Sequence, residues 1–373
     1  MGSNGSRDSE LPLHNKETGI DALRQAIDAI DRELLELLNR RARISLEVGK
    51  LKAGKSGPIF RPQREQNIID SLAAQNSGPL PSQHVRSIWR EIFSSSRSLQ
   101  QTVRVGYLGP EGTNSYFAAI GFLGQLSEYH PCANFRDIFA SVQDGRFDLG
   151  VVPLENSLNG SVVQNFDLFT EFDVYIQAEF VNRIQHCLLS PETDTSAVRT
   201  IYSHPQALAQ CQRWLRTNAP NAMLISVEST AAAAVRCQKE RYAAAIGHRS
   251  LSSTLNLPIL ATNIADEADN QTRFVVIGPQ PVENAEADRT SILFTLPDKP
   301  GTLSRVLELF SKANINLRKL ESRPLRAEQW KYAFFAELEC SLSRPEYKPL
   351  MNKLWEVCAS IRVLGCYNAL GFR

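Results

Sequence analysis

Residues 20–51 read IDALRQAIDAIDRELLELLNRRARISLEVGKL. Ten positions in this stretch follow an unbroken alternation of three- and four-residue steps: Ile20, Leu23, Ile27, Ile30, Leu34, Leu37, Arg41, Ile44, Val48 and Leu51. That period is the seam of a long helix packed against other helices. All ten are apolar except Arg41, and a guanidinium in such a seam is costly to desolvate without an anionic partner. A ligand can supply that partner. Lys52 lies ~16 Å further along the same face, near enough to look into the same cavity. Arg24 lies ~25 Å away in the other direction, whereas a pocket of roughly 300–1,000 Å³ is less than half that wide. Arg24 can therefore serve that pocket only from a second chain running antiparallel. A snorkelling Arg41 with solvated Arg24 and Lys52 fits the same spacing, so these three residues alone leave both readings open.

Outward from this helix, residues 19–101 read as helical throughout. A loop with Gly54, Gly57, Pro58 and Pro62 precedes a helix from Gln63 to about Ala74, and Gly78-Pro79-Leu80-Pro81 precedes a third from Ser82 to Gln100. Three helices this unequal make a poor monomeric core, and dimerisation would cover the rest of the long seam. The first eighteen residues are polar and read as a disordered leader.

From residue 103 to 278 the pattern changes to short apolar runs alternating with helices. VRVGYLG, DLGVVPL, TIYS, AMLISV, AAAIG and RFVVIG read as buried strands of one or two mostly parallel sheets. Four polar motifs each follow a strand and are expected to open a helix: Gly109-Pro110-Glu111-Gly112-Thr113, Glu155-Asn156-Ser157, Ser203-His204-Pro205-Gln206 and Glu228-Ser229-Thr230. Ligands bind beyond such strand ends, where helix N-termini offer free N–H groups to anions. Thr113, Ser203 and Ser229-Thr230 can equally be plain helix caps. Asp269-Asn270-Gln271-Thr272-Arg273-Phe274 carries a polar loop directly into a strand, which puts the Thr272 hydroxyl at the strand's mouth. After a linker at 279–288, residues 289–373 give the order βαββαβ of a ferredoxin-like α+β sandwich. Asp298-Lys299-Pro300-Gly301-Thr302-Leu303 forms a tight turn into its first helix, and Glu321-Ser322-Arg323-Pro324 is expected to interrupt its second strand.

Lys and Arg total 41 against 40 Asp and Glu, so charge gives no case for nucleic acid or an anionic membrane. No signal peptide or membrane-spanning run is apparent, which points to the cytoplasm. Seven scattered cysteines without a CxxC pair, and six histidines without a ligand spacing, argue against a disulfide framework or a metal site.

Taken in order, GPEGT at 109–113, Glu155-Asn156-Ser157, SHPQ at 203–206, Thr272-Arg273-Phe274 and Glu321-Ser322-Arg323-Pro324 make the chain from residue 19 onward resemble the bifunctional chorismate mutase/prephenate dehydratases of phenylalanine biosynthesis. The resemblance implies an all-α mutase domain at 19–101 and a two-lobed, periplasmic-binding-protein-like α/β dehydratase domain at 103–278. It implies an amino-acid-binding ACT domain at 289–373. In the mutase it implies a pocket of Arg24 (from the partner), Arg41, Lys52, Arg64, Glu65, Ser96 and Gln100. Arg61 stands where some members carry an acidic residue. Chorismate to prephenate is a pericyclic rearrangement, so the pocket has only to hold a dicarboxylate and stabilise charge on the breaking ether oxygen. Neither metal nor cofactor is needed.

In the dehydratase the resemblance implies loss of carbon dioxide and hydroxide from prephenate. Thr272 stands beside the leaving hydroxyl, with Glu155, Asn156, Ser203 and Gln210 around it. Gly112, Thr113, Ser115, Ser157, Arg273 and Phe274 are implied substrate contacts; Asn114 stands where the family usually has an aromatic residue. In the ACT module it implies a phenylalanine site at Gly301, Thr302, Leu303, Asn314, Ile315, Asn316 and Leu317, with Glu321, Ser322, Arg323 and Pro324 supporting the bend nearby, and a homodimer inhibited by the end product. A non-catalytic amino-acid sensor is the rival reading, but a sensor needs no leaving-group donor such as Thr272.

Overall fold

The computed structural model describes residues 19–52, 60–267, 269–281, 284–325 and 332–371. The expected leader lies outside the described residues, as does residues 53–59 of the loop after the first helix. The chain divides at Gly57 into two compact units. The first contributes α1 (Gly19–Lys52), whose seam is exposed along its length, with Ile20 and Leu37 at 61% and Leu51 at 74%. Arg41 is half-buried, and Arg24 pairs with Asp21 at 3.3 Å.

The second unit opens with α2 (Pro62–Gln75) and α3 (Ser82–Gln100). Proline starts α2, where its missing N–H costs no intrahelical bond. Arg86 pairs with Asp70 at 2.5 Å across the hairpin. Arg97, buried, pairs with Glu65 and donates to the Leu123 carbonyl. A first α/β lobe follows: β1 (Arg104–Leu108), α4 (Asn114–Leu123), β2 (Glu128–Cys132), α5 (Phe135–Gln143), β3 (Leu149–Asn156), β4 (Gly160–Ser161), α6 (Val163–Glu171) and β5 (Tyr175–Arg183). The second lobe holds β6 (Cys187–Leu189), β7 (Thr200–Ser203), α7 (Pro205–Gln210), α8 (Gln212–Asn218), β8 (Met223–Ser226), α9 (Thr230–Cys237), β9 (Ala243–Gly247), α10 (Leu251–Leu255) and β10 (Ile259–Ala261). The chain then returns to the first lobe as β11 (Gln271–Gly278). The C-terminal module comprises β12 (Arg289–Thr295), α11 (Thr302–Lys312), β13 (Leu317–Pro324), β14 (Tyr332–Leu338), α12 (Lys348–Val357) and β15 (Ser360–Tyr367), and β16 (Ala369–Gly371) follows.

The first-lobe sheet has the order β16-β5-β11-β3-β1-β2 with β4 beside β3, and the second β10-β6-β9-β7-β8. Among the described residues parallel pairing is confined to β1 with β2 and β3, β7 with β8 and β9, and β16 with β5. The expectation of mostly parallel sheets therefore fails in part. β11 runs antiparallel to both β3 and β5, because the chain re-enters the lobe from its neighbour rather than through a crossover helix. Nor does Glu155-Asn156-Ser157 open a helix: the backbone turns into the short strand β4 before α6 begins.

The C-terminal sheet, β13-β14-β12-β15, is antiparallel and has the expected ferredoxin-like order. Glu321-Ser322-Arg323-Pro324 does not interrupt β13, which stays paired with β14 through Pro324. β13 is an edge strand, where a proline loses no ladder bond. This module is not a free appendage. Phe335, Leu364 and Tyr367 share one core cluster with Val152, Leu154, Ile176 and Val275 of the first lobe. Gly365 lets β15 approach β5, since a Cβ there would lie 2.2 Å from the Ile176 carbonyl oxygen.

Candidate functional site

Between the lobes lies a cavity of about 340 Å³. Three helices begin on it. Thr113 caps α4, its Oγ1 accepting from Tyr116 N at 3.3 Å and donating to the Leu108 carbonyl at 3.0 Å. Ser229 caps α9 by accepting from Ala232 N at 3.0 Å, and His204 caps α7 through Nδ1. For Thr113 and Ser229 both readings hold together, since each caps a helix whose end lines the cleft, whereas Ser203 is not a cap: it ends β7, and His204 takes the capping position on α7. No Lys or Arg is among the described residues lining it. Anionic groups there would meet first-turn N–H groups and helix dipoles instead.

The opposite wall is set by a bulge. Val151 and Pro153 face the cleft side of β3, while Val152 and Leu154 enter the core behind it. Strict alternation would bring Glu155 into the cleft. The ladder with β11 slips, however: Phe274 pairs with Pro153 but Arg273 pairs with Glu155, leaving Leu154 as an extra residue. Beyond it the faces exchange. Asn156 and Thr272, directly opposite each other, both line the cavity with Phe274. Glu155 and Arg273 turn to the far side.

There, Glu155 meets Arg273 Nη2 and Lys319 Nζ, each at 3.1 Å. Arg273 also contacts Glu179 at 3.2 Å and Glu337 at 2.6 Å, and Arg289 makes a 2.5 Å bond to Glu179. Burial raises the Glu179 pKa, with Arg273 and Arg289 pulling it back and Glu337 adding to the rise. From β13, Lys319 donates to Ser161 Oγ at 2.8 Å, Ser161 donates to Glu321 at 3.1 Å, and Arg323 grips Asp167 at 2.7 Å. Glu321 and Arg323 thus tie the C-terminal module to the first lobe.

In the cleft the amide of Asn156 has one possible orientation. Its Oδ1 accepts from Leu158 N, Asn159 N and Asn159 Nδ2. Its Nδ2 therefore donates, to Asn270 Oδ1 at 2.9 Å, Gln271 O at 3.1 Å and Thr272 Oγ1 at 3.0 Å. Asn270 Nδ2 in turn reaches Gln210 Oε1 at 3.0 Å, which also meets His186 Nε2 at 2.9 Å. His186 belongs to no motif that the sequence singles out, and Asn270, though inside the polar run 269–274, was given no role there. The available signal was polar side chains at each strand boundary where the chain changes lobes.

The remaining sequence candidates are distributed as follows. Thr113, Ser115 and Gln210 line the cavity; Ser203 does not, since it is fully buried and donates to the Ile246 carbonyl at 2.8 Å. Gly112, at φ +84°, faces the second lobe, where a Cβ would meet Leu251 at 2.9 Å. Ser157 pins the turn through Gln271 N and the Asp269 carbonyl. Arg24, Arg41 and Lys52 lie on α1, Arg64 and Glu65 on α2, and Ser96 and Gln100 on α3. In the C-terminal module Gly301 and Asn314 adopt positive φ (+82° and +54°), and Asn316 donates to Glu339 at 2.9 Å. Thr302 and Leu303 begin α11, Ile315 is buried, and Leu317 and Ser322 lie on β13.

Family models match residues 23–101 as chorismate mutase type II, 105–282 as prephenate dehydratase and 290–356 as an ACT domain. A bifunctional chorismate mutase/prephenate dehydratase of Aquifex aeolicus strain VF5 is 40% identical over 349 residues, covering 92% of this chain and 96% of that relative. The chain belongs to the bifunctional chorismate mutase/prephenate dehydratase family. The Arthrobacter aurescens prephenate dehydratase, solved in complex with L-Phe, has a TM-score of 0.65 at 29% identity, covering 71% of this chain and 90% of its own. A protein described as a novel type of quorum quenching acylase, GqqA, also reaches 0.65, at 27% identity, covering 72% of this chain and 98% of its own. One fold thus carries two named activities, and within the mutase/dehydratase family the chemistry of the cleft has to be argued from its side chains.

Proposed function

We propose that this protein converts chorismate to prephenate with its helical segment and prephenate to phenylpyruvate in the cleft, as a cytoplasmic homodimer restrained by phenylalanine. The observation that carries the dehydratase reading is the direction of the Asn156–Thr272 hydrogen bond. Because Thr272 Oγ1 accepts from Asn156, its own proton is left to donate, and the side chain lines the cavity. In prephenate the ring carboxylate departs as carbon dioxide, its bonding electron pair moves through the ring, and the hydroxyl at the opposite carbon leaves as hydroxide, which solvent protonates. Thr272 hydrogen-bonds that departing oxygen. Aromatisation supplies the driving force, so a donor of ordinary acidity suffices where a stronger acid would otherwise be needed. The N-termini of α4 and α9 suit the substrate's two carboxylates. For the mutase, Arg41 and Lys52 on α1, with Arg24 of α1 from a partner, are cations of the kind that a pericyclic rearrangement of a dicarboxylate requires. Among the described residues no cluster of His, Cys, Asp and Glu could hold a metal, and neither reaction calls for one.

The exposed seam of α1 supports the dimer, since an apolar stripe of this length is covered by another helix in stable proteins. The left-handed turn at Gly301 and the adjacent Asn314 support the amino-acid site of the ACT module. Steady-state assays with each substrate test both activities, and calorimetry with phenylalanine tests the regulatory site. No turnover of prephenate would remove the dehydratase reading; no heat of binding would remove the regulatory one.

A further inference from the structure

We propose that His186 is a positioning residue for the dehydratase step, holding Gln210 and, through Asn270 and Asn156, the orientation of the Thr272 hydroxyl. The proposal rests on the dehydratase reading above and adds a residue to it. The direction of every bond in the chain is fixed from one end. Backbone N–H groups of Leu158 and Asn159 make Asn156 Oδ1 an acceptor, so Asn156 Nδ2 donates to Asn270 Oδ1. Asn270 Nδ2 must then donate to Gln210 Oε1. An oxygen at Gln210 leaves His186 Nε2 only one role, that of donor. His186 is therefore the Nε2–H tautomer.

The chain also has a meaningful location. His186 sits where the polypeptide first crosses between lobes, and Asn270 where it crosses back. Backbone bonds bind the two crossings together: Ile184 N to Asn270 O at 2.8 Å, and Ile264 N to His186 O at 3.0 Å. Gln210 belongs to the second lobe, Asn156 and Thr272 to the first. The five side chains thus form a polar strut across the hinge, with His186 and Asn270 only 2% and 1% exposed. Nδ1 of His186 is buried with no hydrogen-bond partner among the described residues. A second ring proton would have nothing to bond to, in keeping with a pKa that burial lowers and the Gln210 bond only partly restores. An uncharged donor can hold an amide oxygen without drawing the carboxylates of the substrate away from the helix ends.

The test uses the full chain with His186→Leu and His186→Gln, because a Gln side chain can place an N–H near the position of Nε2. His186→Leu should lower kcat with prephenate about 10- to 100-fold, the scale expected when a catalytic group loses its alignment, with KM changed less than about threefold. His186→Gln should recover most of the loss, and chorismate turnover should stay at the wild-type rate in both. Wild-type kcat in the Leu variant overturns the proposal; so does an equal loss in Leu and Gln, which would mark a packing role. A readout independent of turnover is the ring nitrogen spectrum at neutral pH. Nε2–H is expected, and an Nδ1–H or doubly protonated ring would overturn the assignment even if prephenate is converted. Failure of the wild-type protein to convert prephenate, with the Nε2–H tautomer present, would instead count against the dehydratase reading.

Discussion

On the proposed dehydratase reading Thr272 acts through one hydrogen, so its substitution separates hydroxyl chemistry from packing. Thr272→Ala should reduce kcat with prephenate by roughly 10²–10⁴-fold with little change in KM, whereas Thr272→Ser, which keeps the acceptor for Asn156, should retain much of the rate. Equal activity of Ala and Ser would reduce Thr272 to the start of a strand. His248 makes a second residue-level prediction. It stacks on Phe117 with ring centres 4.4 Å apart, and burial, then the neighbouring His186, lower its pKa from 6.5 to about 4. Its folded-state pKa lies below the unfolded one, so the unfolded chain binds more protons as the pH falls from about 6.5 to about 4. Stability should decline across that window by up to about 1.4 kcal/mol per pH unit. His186 adds to the slope. Denaturant midpoints measured against pH should therefore fall less steeply in His248→Gln. Neither histidine's part was legible in sequence: a pair 62 residues apart meets only once the lobes have folded.

At the scale of elements, the bulge in β3 decides which of two adjacent motif residues faces the cavity. The sequence marks the strand itself clearly, since DLGVVPL is an apolar run buried on both faces. The bulge is not marked. It arises from the register with β11, whose partner residues lie 116 positions away for Asn156 and Thr272. β5 and β6 escaped the reading as well: polar Gln177 and Glu179 break the apolar run of β5, and β6 is only three residues long. Thr272 was legible because a hydroxyl stands at the entrance to an apolar strand, and the ferredoxin-like module because its elements keep their own periods. Glu155 tests the point. Glu155→Gln should leave kcat with prephenate within about threefold while weakening inhibition by phenylalanine, because Lys319 on the C-terminal module, left with Glu321 at 4.0 Å, loses the nearer of its two carboxylate partners. A loss comparable to that of Thr272→Ala, with inhibition unchanged, would return Glu155 to the cleft.

For the whole molecule, the seam of α1 predicts complementation between chains. Arg24→Ala and Lys52→Ala proteins, each poor in mutase activity, should regain part of it on mixing, since one of the two pockets in the hybrid would be complete. Fluorescence exchange between labelled subunits confirms that chains have mixed; exchange without recovered activity would rule out a shared pocket. The C-terminal module has a different relation to its neighbour. It was expected beyond a linker, but it shares the core of the first lobe and leads into β16, which pairs in parallel with β5 through Ala369 and Glu179. A chain ending at Tyr367 should show faster amide exchange along β5, with the second lobe unaffected. The same pairing sets an order of events on the ribosome. β5 emerges long before its outer neighbour, and at ordinary elongation rates the wait from one to the other is on the order of ten to forty seconds. Throughout that interval the first-lobe sheet carries an open rung, and the nascent protein must be kept from other nascent strands until its C-terminal module has been translated and has closed the edge.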